Sequence, residues 1–324
     1  MSVDRARRLP PWAALCVAGF IGCLLAVQSR INGQLGIRLD DGLVAALVSF
    51  GSGLAILLVL SAALPAGRRG VGRLVRGVRG RTIPWWMLCV GAAGALTVAA
   101  QGLVVGIIGV SLFTVGLVAG QTVSGLLLDR AGFGPGGAIA VTLPRVVSGA
   151  LALAAAVVSF VGGGVASAPL WMLALPFVAG AAVGWQQAAT GRLRQRVGAA
   201  LTATLVNFAV GTAILAATAG ASVATNGPPL PFPPEPWLYV GGALGVAFVF
   251  LAATLVVHTG VLLLALGAIA GQLIASVVLD ALWPAASSPG LVFELVVVAV
   301  ALSSVAVALA PSRRRRDDSV TSRG

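Results

Sequence analysis

Eight neutral amides lie inside long apolar runs of this chain: Gln28, Asn32, Gln101 and Gln121 in the first half, Gln186, Gln187, Asn207 and Gln272 in the second. An amide offers a donor and an acceptor together. Such groups can bind a polar solute, or they can bond across neighbouring helices and hold them together; both readings stay open. The substrate-binding candidates are Gln28, Asn32, Gln121, Gln186, Asn207 and Gln272, with Trp185 as a flat wall beside Gln186 or as an ordinary packing residue. Asp129, Asp280 and Glu294 stand at the edges of apolar runs, where a carboxylate caps a helix, faces water, or relays a proton between two faces of a membrane. These three are the proton-coupling candidates. Arg145 either snorkels or pairs with Asp129 or a substrate anion. His258, the single histidine, titrates in the range a proton relay needs, but it falls in an expected turn and its internal counterpart is Ile107.

Hydrolytic or transfer chemistry needs paired carboxylates, a Ser/His or Ser/Lys arrangement, or metal ligands. One histidine and no lysine leave little to build these from, so the expectation is no enzyme, no metal site and no cofactor. A G-x-x-x-x-G-K-[ST] phosphate loop is absent. Cys16, Cys23 and Cys89 fall within apolar runs, where a thiol acts as a small hydrophobe.

Composition dictates the elements that carry these residues. Hydrophobic residues make up 58% of the chain and charged ones 9%, against about 25% charged in soluble domains. Such a surface suits lipid rather than water. Residues 82–128 and 146–191 contain no charged side chain or histidine, and one helical crossing takes about 20 residues. The expected spans are ten: 11–30, 43–64, 84–105, 109–129, 139–161, 170–190, 199–219, 236–256, 259–280 and 290–310. The net charge of +12 comes from arginines in the connections, a placement that speaks of membrane orientation and not of nucleic acid. Arg5, Arg7 and Arg8 before an apolar run also resemble a secretory signal, a reading opposed by the first span having an internal counterpart.

That counterpart belongs to a duplication. Gly22–Leu57 aligns on Gly180–Leu215 without a gap, with 14 of 36 positions identical, among them Gln28/Gln186, Arg38/Arg196, Phe50/Phe208 and Gly53/Gly211. A second block pairs Gly91, Gly94, Gly109, Gly116, Gly120, Gln121 and Asp129 with Gly242, Gly245, Gly260, Gly267, Gly271, Gln272 and Asp280. Five spans per copy is an odd number, so the second copy should enter the membrane from the opposite side. With the N-terminus inside, 18 of 21 arginines fall on the inner side, and only Arg30 and Arg38 fall outside, with Arg145 near an inner span end. The six-arginine connection after the second span is replaced in the second copy by NGPPLPFPPEP. Opposite orientation for similar sequence follows from the positive-inside rule. The expected organisation is a tail (1–10), a first repeat (11–162), an inverted second repeat (163–311) and a basic tail (312–324).

The segments AVQSRINGQLG, LVAALVSFGSG and GQTVSGLLLDRAG resemble the drug/metabolite transporter superfamily, and within it the YdcZ-type family of inner-membrane exporters. The likeness spans residues 11–310. It implies an all-α bundle of ten transmembrane helices, two fused five-helix units, in a bacterial plasma membrane with both termini cytoplasmic. It also implies small-molecule export or exchange without nucleotide hydrolysis. The second copy departs from the pattern where Thr190 stands for Asn32 and Asn207 for Ser49, so the half-sites are not identical. The expected partners are a small solute and the bilayer, with a homodimer allowed and no nucleic acid. The competing expectations are a non-transporting scaffold or receptor and, more remotely, an intramembrane enzyme.

Overall fold

A computed structural model describes residues 11–133, 143–162, 169–259, 261–284 and 290–309. Among the described residues all regular structure is helical: α1 (Pro11–Leu39), α2 (Gly42–Ala63), α3 (Pro65–Arg79), α4 (Trp85–Ile108), α5 (Val110–Arg130), α6 (Leu143–Gly162), α7 (Leu170–Val197), α8 (Ala200–Asn226), α9 (Gly241–Thr259), α10 (Val261–Leu282) and α11 (Leu291–Leu309). The stretches Cys16–Leu39, Gly42–Ala63, Trp85–Ile108, Val110–Leu128 and Ala200–Asn226 are each long and apolar enough to cross a bilayer. The chain is an all-α polytopic membrane protein.

Three local departures from the sequence reading have physical causes. The arginine-rich connection after α2 is not a loop but the amphipathic helix α3, which a search for long apolar windows passes over. Gly67 and Gly70 of α3 pack against Ser61 and Thr202, while Arg68, Arg69, Arg73, Arg76 and Arg79 are exposed. In α4 a π-turn over Gln101–Val105 interrupts the regular ladder, and the helix ends at Gly109 with φ +88°, a conformation that costs glycine little. α9 runs on to Thr259, so His258 lies in a helix and not in a turn; its side chain, like those of Asp129 and Arg145, is outside the described residues.

The duplicated sequence pairs α1 with α7, α2 with α8, α4 with α9, α5 with α10 and α6 with α11. Packing is reciprocal across these pairs. α1 lies along α10 as α7 lies along α5, α9 sits against α1 and α2 as α4 sits against α7 and α8, and α2 meets α8 as α6 meets α11. The same exchange holds at single residues. Gly22 meets the Ala268 carbonyl as Gly180 meets that of Leu117, and Gly271 meets Gly19 as Gly120 meets Phe177. Backbones this close require glycine, since a Cβ would overlap the facing carbonyl, and close approach is how helices associate where lipid removes the hydrophobic drive. The contacts of the two halves are thus reciprocal.

Contact order fixes the helix directions. Gly53 lies beside Phe208, Gly211 beside Phe50, and Asp41 at the start of α2 bonds Ser222 near the end of α8. The equivalent helices α2 and α8 therefore run antiparallel. α1 and α10 run parallel, with Gly19 near Gly271 and Arg30 near Asp280. One end of the bundle gathers Asp41 with Ser222, Arg38 with Glu235, and Arg30 with Asp280. The other end joins Arg73 to Val197, Arg192 to Gly132 and Arg196 to Thr82.

Candidate functional site

The two halves cross through an aromatic pair. The equivalent residues Phe50 and Phe208 stack with ring centroids 4.7 Å apart and an interplanar angle of 23°, a geometry close to offset stacking. Gly53 and Gly211 make room, because a Cβ at either would strike the opposite ring. Beside each ring lies a glycine of the equivalent helix pair, Gly94 near Phe50 and Gly245 near Phe208.

Amides flank this crossing. Gln186 Nε2 donates to Asn207 Oδ1 over 2.7 Å, and both groups border Gly94. In the other half Gln28 borders Gly245, while Asn32 Nδ2 donates to Gln101 Oε1 over 2.7 Å. The partners differ because Ser49, where the second half has Asn207, is too short to reach an amide as Asn207 does. The π-turn of α4 carries Gln101 at its first residue, and such turns recur at functional positions. Asn32 and Gln101 are fully buried. Asn32 Oδ1, Ser49 Oγ and Gln101 Nε2 have no hydrogen-bond partner among the described residues. A Cβ at Gly241 would sit 2.5 Å from Asn32 Oδ1 and 3.0 Å from Ser49 Oγ, so glycine there lets the backbone of α9 close on these two polar atoms. Each unmet buried polar group costs about 1–3 kcal/mol, and a cluster of them calls for a cause.

The other candidates sit elsewhere. Gln272 is buried on the α1–α10 seam with Nε2 unpaired, and Gln121 is half-buried on the α5–α7 seam. No hydrogen bond among the described residues ties either to the crossing. Trp185 packs with Trp86 and Leu88 over a cluster containing Ile83, Met87, Val90 and Leu193. Asp280 is 3% exposed; it accepts bonds from the Val110 and Ser111 N–H groups at 2.9 and 2.6 Å, capping α5. A carboxylate there also faces the positive end of the α5 dipole. Arg30, read from the sequence as lying at the outer end of the first span, is buried at the end of the bundle that also holds Arg38 and Asp41, with Nη1 3.9 Å from Asp280 Oδ1 and Nη2 donating to the Trp283 carbonyl. Glu294 is buried at the same corner, its Oε2 3.5 Å from Ser111 Oγ.

Sequence reasoning missed Ser49, the phenylalanine pair and Arg30 as site-forming residues. The first three stand in aligned columns of the duplication, and Arg30 and Asp280 are rare ions within apolar segments, the signal an intramembrane charge gives.

No curated protein matches this chain. A family model described as "Putative inner membrane exporter, YdcZ" matches it twice, over residues 13–158 and 170–307. One match covers α1 to most of α6 and the other α7 to most of α11, the two sets of helices that the duplicated sequence pairs. The family unit occurs twice over most of the length, and this membrane-embedded chain belongs to the YdcZ family of inner-membrane exporters.

Proposed function

We propose that the protein is a secondary-active exporter of a small metabolite or drug-like molecule, working by alternating access between two inverted five-helix repeats with both tails cytoplasmic. The observation that carries this reading is the crossing at Phe50 and Phe208. Equivalent helices meet there head to tail, and unpaired buried polar atoms of Asn32, Ser49 and Gln101 stand beside them. Halves related in this way can exchange conformations, giving outward- and inward-open states of similar energy. The substrate would lie against the aromatic pair, accepting from Gln101 Nε2 and donating to Asn32 Oδ1 and Ser49 Oγ. These groups are neutral, so a neutral or zwitterionic solute with both donors and acceptors suits them. Asn207 and Gln186, bonded to each other here, would open to the substrate in the alternate state. Asp280 acts in this reading as an end-lock rather than a proton carrier, because its oxygens are already held by α5.

Flux into proteoliposomes, screened with and without a pH gradient, tests the transport. Gln101→Leu and Asn32→Ala should each lower flux of the transported solute roughly tenfold, as loss of one well-made buried hydrogen bond does. Gln187→Ala, at an exposed amide, should leave it unchanged. Flux no greater than in empty vesicles over a broad panel of solutes supports the scaffold instead. Reporter fusions after residues 75 and 226 should report opposite compartments, and a shared compartment refutes the inversion.

A further inference from the structure

Away from the crossing, at the arginine-rich end, α3 and the turn that follows it enclose a cleft of ≈ 370 Å³ lined by Arg73, Arg76, Gly77, Thr82, Ile83 and Arg196. The three guanidinium groups are partly committed to backbone carbonyls. Arg73 Nε donates to Val197 over 2.5 Å and Nη2 to Gly198 over 3.3 Å, Arg76 Nε to Gly72 over 3.3 Å, and Arg196 Nη1 to Thr82 over 2.7 Å. Those bonds steady the side chains and, among the described residues, leave Arg73 Nη1, both Nη atoms of Arg76, and Arg196 Nε and Nη2 without a bond to a carbonyl. No carboxylate lines the cleft, and neither ion pair among the described residues includes these arginines. Three cations face a single opening, and among the described residues no carboxylate neutralises them. Planar guanidinium forks are shaped for the oxygens of a phosphate.

The setting selects which phosphate. α3 shows three faces: Gly67 and Gly70 are buried against the bundle, Leu64, Val75 and Val78 around the helix are exposed apolar residues, and the arginines occupy the remainder. A short helix with that division lies in the headgroup plane, its apolar strip in the acyl boundary. Trp85, 77% exposed just beyond the cleft, is the kind of residue that marks the same level. The apolar strip holds α3 at the headgroup level, so the cleft on the other side of the helix opens at the depth of lipid phosphates, where a membrane lipid is the nearest source of a phosphodiester.

We propose that this cleft is a binding site for the phosphodiester of an anionic phospholipid, held by Arg73, Arg76 and Arg196. The test is native mass spectrometry of the full chain released from mixed micelles containing phosphatidylglycerol or phosphatidylcholine. Phosphatidylglycerol should be retained in preference. Arg76→Gln and Arg196→Gln should each weaken its retention roughly fivefold, the worth of one arginine at an anionic surface. Arg69→Gln, on α3 but outside the cleft lining, should leave it unaltered. Arg76→Lys keeps the charge without the fork and should lie between wild type and Arg76→Gln, which keeps the test open should Arg76→Gln not fold. Equal retention of both lipids, or equal weakening by Arg69→Gln and Arg76→Gln, would overturn the site in favour of diffuse surface charge. Complete displacement of phosphatidylglycerol by millimolar inorganic phosphate at fixed ionic strength would overturn the lipid in favour of a soluble phosphate.

Discussion

Replacing Asp280 by asparagine tests whether the buried charge corner holds α1, α5 and α10 together. The change removes the charge that faces Arg30 at 3.9 Å and leaves one oxygen for the two N–H groups of Val110 and Ser111. Arg30 is then a buried cation with the Trp283 carbonyl as acceptor. Removing one partner of a buried ion pair costs about 3–5 kcal/mol, whereas removing both and filling the space with apolar atoms is often near neutral. Glu294, at 3.5 Å from the same Ser111, leaves a further carboxyl acceptor at the corner, so the lower end, about 3 kcal/mol, applies. The double variant Arg30→Met/Asp280→Asn has no stranded cation and should lose only about 1–2 kcal/mol, mostly from the weakened cap of α5. The assay is unfolding in mixed micelles against a denaturing detergent, followed by tryptophan fluorescence, for wild type, both singles and the double. The reasoning requires a coupling energy of about 2 kcal/mol or more in that cycle. A single Asp280→Asn variant within 1 kcal/mol of wild type, or a double whose loss equals the sum of the singles, would refute it.

Two further outcomes are expected. Gly53→Leu and Gly211→Leu push side chains into the equivalent rings of Phe208 and Phe50, so both should reduce transport, and by factors that agree within about threefold, since each strikes a ring in matched geometry; impairment by one alone in the proteoliposome assay would contradict the proposed equivalence of the halves. Glu235 lies in the proline-rich connection; its own backbone N–H first, and then Arg38 Nη1 at 3.0 Å, hold its carboxyl below the ordinary carboxylate range. A lowered folded value means that this contribution is present above the ordinary pKa and is lost as pH falls through the folded one. Glu235→Gln should therefore flatten the acid limb of the stability curve and change stability at neutral pH very little, as for any exposed ion pair; a large loss at pH 7 in a thermal-shift measurement would contradict this.

Much of the fold was legible because the bilayer makes composition decisive. Uncharged runs such as 82–128 have few ways to be stable other than as helices, and helices do run through them. The duplication was legible because residues with a specific task recur in register: Gly53 and Gly211 each relieve a phenylalanine, and Gly22 and Gly180 each admit a carbonyl. Helix α3 was hidden by its arginines, which read as a loop until their spacing is set against Gly67, Gly70 and Leu74. Arg30 was hidden for another reason. Its partner Asp280 lies 250 residues away in sequence, and only the tertiary pairing of α1 with α10 brings the two ions together. Of the amides, sequence could name the set but not the pairs, because whether Asn32 bonds Gln101 or Gln28 depends on a π-turn that no local pattern announces.

The departures from symmetry carry the remaining argument. Arg30 aligns with Ala188, while Asp280 aligns with Asp129, so the ion pair can form in one half only. It joins α10 and α1 to the start of α5 at the end of the bundle where Asp41 also bonds Ser222 and Arg38 bonds Glu235. Under alternating access, opening at that end must separate some of these contacts, whereas opening at the arginine-rich end separates mainly single bonds from arginines to carbonyls. In the proposed mechanism the duplication supplies two halves that exchange states, and substitutions such as Ala188 at the position matching Arg30 make those states unequal. A bias of even 1.4 kcal/mol sets a tenfold preference between states. The Arg30→Met/Asp280→Asn protein should accordingly populate the state open at the Asp280 end more than wild type does. Cysteine accessibility at Ser111, buried in the present arrangement, measures that population directly. Unchanged labelling of a Ser111→Cys reporter in the two backgrounds would show that the corner braces the fold without tilting its equilibrium.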